Sequence, residues 1–173
     1  MRASQCAVGA MLCVATLSCG GQGASGSAAA SDRPQAASFR SADACAMFSE
    51  SDLAAIVGTP VAKGRPFAGP EVCKWEAEPG NTSVLLTVRP AGSDREKVLC
   101  SELPKSQEGQ RIEGLGDVAT WKFSNTMGLF NSGELQTCSG RVGYVSVSLD
   151  GKADEAKLKQ ASETIVRKVL QAR

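Results

Sequence analysis

Four cysteines, Cys45, Cys73, Cys100 and Cys138, are spread at wide intervals through the body of the chain, and any fold it adopts has to bring them into register. Their spacing is unlike the CxxC clusters of zinc and redox sites. An even set of well-separated cysteines in an exported domain reads as two structural disulfides. Three pairings are open. Cys45–Cys73 with Cys100–Cys138 is favoured, because each of those bonds ties a helical segment to a nearby strand. Neither a metal nor a cofactor is expected.

The N-terminus supplies the reason to expect oxidation. Arg2 and the free amino group precede an uncharged run, Cys6 to Leu17. That run has the length of a signal-peptide core and is too short to cross a bilayer as a helix. It ends in Ala15-Thr16-Leu17-Ser18-Cys19-Gly20, which is similar to a bacterial lipobox. Cleavage there removes residues 1–18 as a signal and leaves Cys19 as the lipid-bearing first residue. Plain secretion, with cleavage at Ala28-Ala29-Ala30 before Ser31, is the alternative, but that site stands far beyond the apolar run. The stretch from Gly20 to Ser38 is dominated by Gly, Ser and Ala and holds nothing large to bury. Residues 19–38 therefore read as a lipidated cysteine plus a flexible tether, with a typical reach of about 25 Å. Residues 39–173 are left as a single domain of ordinary size. The expected location is the cell envelope, on a membrane through the lipid. Gly20 after Cys19 is compatible with the outer membrane where the cell has one.

Composition narrows the function. The chain contains no histidine, which removes Ser-His-Asp and Cys-His nucleophile systems and HExxH zinc sites. Nineteen Lys/Arg against eighteen Asp/Glu leave a net charge of +1 with both signs interspersed, so no nucleic-acid partner is expected. Hydrophobic residues at 42% with charged residues at 21% are globular proportions.

Within the domain, Ser49 with Asp52 three residues later is a capping-box pattern, followed by Leu53, Ile56 and Val57 and a Gly58/Pro60 stop. One or two short helices are expected there. Val72–Ala77 and Thr82–Val88 read as strands joined by the turn residues Pro79-Gly80-Asn81. In the second, Val84, Leu86 and Val88 share one face while Ser83, Leu85 and Thr87 share the other. Ser93–Leu103 is helical with a charged outer side. Strands are expected at Ala119–Phe123, Leu129–Phe130, Leu135–Cys138 and Val142–Leu149, with Asp150-Gly151 ending the last. Lys152–Ala172 is an amphipathic helix whose apolar face is Leu158, Ala161, Ile165, Val169 and Ala172. The predicted class is α+β: a mainly antiparallel sheet packed by a short N-terminal helical segment, a middle helix and a long C-terminal helix lying on the sheet's buried face.

The order of Ala44-Cys45-Ala-Met-Phe48, Asp52-Leu-Ala-Ala-Ile-Val-Gly58, Cys73-Lys-Trp75 and Gly114-Leu-Gly-Asp117-Val-Ala119 resembles a family of small exported bacterial lipoproteins, best known from actinobacteria. The resemblance covers Ala42 to Leu170 and implies an exported α+β domain with no established activity. As separate motifs these elements read structurally. Gly114-Leu-Gly-Asp117 is expected to be a tight turn with Asp117 bonding its own backbone, and Trp75 and Trp121 to be packing residues. Glu71, Glu76 and Glu78 read as solvated rather than as a glycosidase pair.

The expected function is a non-catalytic binding module tethered to the membrane. Its partner would be another envelope protein or a small apolar molecule held between sheet and helix. A histidine-free envelope hydrolase and a structural lipoprotein of a larger assembly are the alternatives; no catalytic residue is nominated.

Overall fold

Ser49 and Asp52 start the first helix as their spacing predicts. In the computed structural model, which describes residues 43–77, 82–126 and 128–172, the Ser49 hydroxyl accepts from the Asp52 N–H and the Asp52 carboxylate accepts from the Ser49 N–H, both at 3.1 Å. These bonds satisfy otherwise orphaned donors at the start of α1, Glu50–Val57. The Ser49 hydroxyl, which also donates to Asp52 Oδ2 at 2.6 Å, and then the Ser49 N–H hold the Asp52 carboxyl below its ordinary pKa. A 3-10 turn, Ala44–Met47, precedes it. The export signal, Cys19, the tether and the Pro79-Gly80-Asn81 turn lie outside the described residues.

The strands are β1 (Arg65–Pro66), β2 (Val72–Glu76), β3 (Ser83–Pro90), β4 (Gln110–Arg111), β5 (Val118–Thr126), β6 (Phe130–Ser139) and β7 (Gly143–Gly151). Among the described residues they form one antiparallel sheet in the order β1-β2-β3-β7-β6-β5-β4. Helix α2, Asp94–Glu102, and a 3-10 turn, Leu103–Lys105, connect β3 to β4; α3, Glu155–Gln171, closes the chain. The protein is α+β. Two meanders meet along β3 and β7, whose pairing runs from Ser83↔Asp150 to Pro90↔Gly143.

Alternation along each strand divides the sheet into two faces. One carries Trp75, Val84, Leu86, Val88, Leu135, Val145, Val147 and Leu149, all buried. Helix α3 packs on this face with Leu158, Ala161, Ser162, Ile165, Val166 and Val169. Ala172, expected on that stripe, is exposed, and Ser162 and Val166 take their place beside it. The helix also begins later than Lys152. Strand β7 runs on through Gly151, and the Asp154 side chain caps the helix by accepting the Lys157 N–H at 2.9 Å. Asp150-Gly151 thus belongs to the strand instead of ending it.

Phe130 and the segment Leu135–Cys138 belong to a single strand, β6, continuous through Gly133, while Leu129 stands in the turn before it. Gly133 is what permits this: a Cβ there would overlap the Trp121 indole, which crosses over it from β5. The Gly114–Asp117 turn also differs from expectation in its bonding. Asp117 accepts the Gly140 N–H at 2.7 Å across the sheet end rather than closing on its own backbone. Gly116, at φ 72, lies so close to β6 that a Cβ would meet the Cys138 carbonyl at 2.5 Å.

The opposite face carries Arg89, Tyr144 and Cys138 at one end, and α2 lies over them. Leu103, Cys138 and Tyr144 form a small second core there. No residue within α2 is buried, and Val98 and Leu99 are 62% and 37% exposed, so its outer side is apolar in part as well as charged. Tyr144 is the chain's one tyrosine, which makes its titration directly readable. Burial pushes its phenol up to about 12. The folded state therefore keeps a proton that the unfolded state loses near pH 10, so this stabilisation is complete below about pH 10 and is lost as pH rises through 12. Tyrosinate absorbance should show a folded midpoint near 12. A midpoint at the ordinary value would mean that α2 does not cover the ring.

Candidate functional site

The face that α2 only partly covers is built from polar residues by strand register. Glu76, Ser83, Asp150 and Ser132 lie side by side across β2, β3, β7 and β6. Lys74, Leu85, Ser148 and Glu134 form the next row. Each residue stands two positions from its counterpart in the first row, so both rows point to the same side.

At the end away from α2 this face opens into a cleft of about 770 Å³. Its floor includes Lys74, Glu76, Ser83 and Asp150, and Lys152, Leu129 and Phe130 stand along it. Leu129 is 71% and Phe130 45% exposed, a large apolar surface beside a charged floor. The Asp150 carboxylate is fixed at both oxygens. Ser83 Oγ donates to Oδ2 at 2.9 Å and Ser132 Oγ to Oδ1 at 2.7 Å. Glu76 is bound by Lys74 Nζ at 2.7 Å and by Arg65 from the edge strand. The Lys74 hydrogen bond, aided by the Arg65 charge, holds the Glu76 carboxyl below its usual pKa. Glu71, one of the other two glutamates weighed from the sequence, pairs with Arg89. Glu78 lies outside the described residues.

The layer between sheet and α3 is filled. Ile165 and Val166 are fully buried and Val169 is 1% exposed. A groove of about 430 Å³ lies near the start of that helix, where Ile56 and Val57 of α1 face Leu158 and Ala161.

The cysteines bracket this architecture. Cys45–Cys73 joins the first 3-10 turn to β2 with Cα atoms 5.0 Å apart. Cys100–Cys138 joins α2 to β6 at 5.7 Å. The two bonds lie on opposite faces: Cys73 is fully buried within the α3-side core, and Cys138 belongs to the small core under α2. Trp75 and Trp121 are 1% and 2% exposed, both packing residues. Cys19, the proposed lipid site, is outside the described residues.

Comparison with protein-family models, curated proteins and solved structures finds no match. The cleft is read from its own chemistry. Of its residues the sequence raises only Glu76 as a candidate, and reads it as solvated; Lys74, Ser83, Phe130 and Asp150 belong to four different strands and share no local signal. The signal that points to them is periodic. Ser83/Thr87, Ser132/Glu134/Gln136 and Ser146/Ser148/Asp150 are polar residues at alternate positions, interrupted in the first strand by Leu85.

Proposed function

We propose that the chain is an exported lipoprotein of the bacterial cell envelope, held to a membrane by lipid on Cys19, and that its domain is a binding module without catalytic activity. The observation that carries this reading is the pair of disulfides. Bonds of this kind persist in compartments outside the reducing cytosol, and the sequence ahead of the domain has the form of an export signal with a lipobox cysteine. The resemblance of its motif order to small exported lipoproteins of actinobacteria points the same way. The cleft supports binding over turnover. Glu76 is clamped between two cations and kept anionic, which unsuits it for general-acid work near neutrality. Asp150 is engaged by two hydroxyls, as a fixed acceptor for a ligand would be.

Metabolic labelling with a fatty-acid analogue tests the anchor. The full chain is expected to take up label and partition with membranes. Cys19→Ala is expected to take up none and to be recovered in the soluble exported fraction. Label retained by Cys19→Ala would refute the assignment.

A further inference from the structure

We infer that the cleft at the free end of the polar face binds a neutral oligosaccharide. The inference deepens, and rests on, the reading of the domain as a binding module. Four observations carry it. The four charged side chains that line the cleft cancel, Lys74 and Lys152 against Glu76 and Asp150, so the lining itself selects for neither sign; Arg65, paired with Glu76, stands outside it. The charged groups of the lining are two pure donors, the ammonium groups, and two pure acceptors, the carboxylates. A sugar hydroxyl both donates and accepts, so vicinal hydroxyls can satisfy such a pair at once. Asp150 holds one serine hydroxyl on each oxygen and retains acceptor capacity on both. Leu129 and the Phe130 ring supply an exposed apolar surface of the type that packs against the C–H face of a pyranose.

The same cleft is poorly made for an extended peptide. Strands β3 and β7, which supply Ser83 and Asp150 to its floor, are hydrogen-bonded on both sides, to β2 and β7 and to β3 and β6. They offer no free ladder of backbone N–H and C=O groups to which a peptide could add as a strand. Recognition has to come from side chains and a ring face, and the cleft volume falls in the range of small-molecule sites, roughly 300–1,000 Å³.

Titration of the mature chain with cellotetraose, maltotetraose and chitotetraose, followed by amide chemical shifts, tests this, with tetra-alanine as the peptide control. At least one tetrasaccharide is expected to shift the amides of Ser83, Phe130 and Lys152, and tetra-alanine none. Phe130→Ala and Lys152→Ala alter exposed side chains and leave the fold standing; each is expected to weaken binding about tenfold or more. Leu99→Ser, on α2 at the other end of the face, is expected to leave it unchanged. Absence of any shift with all three sugars at millimolar concentration overturns the inference, as do shifts with tetra-alanine in their place or full affinity in Phe130→Ala. Should the sugars fail while a photo-crosslinker at position 130 captures one envelope protein in cells, the saccharide assignment falls and the binding module stands.

Discussion

Replacing Cys45 and Cys73 together by alanine is expected to lower the unfolding free energy by about 3.6 kcal/mol, the loop-closure entropy of a bond spanning 28 residues. The consequence reaches beyond one loop. The 3-10 turn that carries Cys45 also donates the Ala44 N–H to the Pro70 carbonyl and packs Ala44 and Phe48 into the main core. Without the bond, this segment is held on the sheet by non-covalent contacts of that kind, Met47 on the core among them. Cys73 is fully buried, so its truncation also leaves a gap next to the packed tryptophan of that strand. Cys100–Cys138 closes a longer loop, 38 residues, and the same entropy model assigns it about 3.9 kcal/mol. Its loss is expected to free α2 first, since that helix buries no residue of its own. Urea unfolding of the two double variants separates these effects. Hydrogen exchange should show local opening of residues 94–102 in the Cys100/Cys138 variant and a global loss in the other. A change below 1 kcal/mol for Cys45/Cys73 would contradict the role given to that bond.

Trp121→Ala is the second large effect, about 3–5 kcal/mol for deletion of a buried indole. The ring lies over Gly133 on the neighbouring strand, and its Nε1–H donates to Glu155 Oε1 at 3.1 Å, which links β5 to the first turn of α3. Packing and hydrogen bond are therefore lost together. The contact with Gly133 gives a sharper test than the deletion. Gly133→Ala in the native background is expected to destabilise by about 1–3 kcal/mol through overpacking. In a Trp121→Leu background the same substitution is expected to be close to neutral, because the space above position 133 is then open. A double-mutant cycle with denaturant midpoints measures this. Equal costs in both backgrounds would show that the indole does not occupy the space over Gly133.

The local parts of the fold are legible in the chain because short-range chemistry specifies them. The Ser49/Asp52 capping box, the Gly58 stop and the Leu158–Val169 stripe each depend on residues within a few positions of one another. The α+β class follows from such segments, and alternation in Val84–Val88 and Val145–Leu149 already separates a buried face from a polar one. Errors arise where a partner distant in sequence decides. Gly133 looks like a break between two strands until Trp121 is placed over it. Asp117 looks self-bonded until Gly140 is brought alongside by the β6–β7 connection. The start of α3 shifts because the pairing of β7 with β6 extends to Gly151↔Asn131.

The cleft is the least legible feature for the same reason. Ser83 and Ser132 are ordinary strand residues in sequence, and only the register that flanks Asp150 with both makes a fixed acceptor of it. Phe130 stands at the first position of β6, paired with Thr126 of β5 but one residue beyond the end of the pairing with β7 at Asn131↔Gly151, and it is exposed. Side-chain alternation announces a polar face; it does not say which end of that face remains open.

We propose above that this domain is exported, oxidised and lipid-anchored. The most direct test of that proposal is the intact mass of the native chain isolated from its own cells, taken with and without thiol alkylation before reduction. The expected product is a chain that begins at Cys19, carries added acyl mass and takes up no alkylating group until the disulfides are reduced. A chain still bearing residues 1–18, found in the cytosol with alkylatable cysteines at 45, 73, 100 and 138, would contradict it.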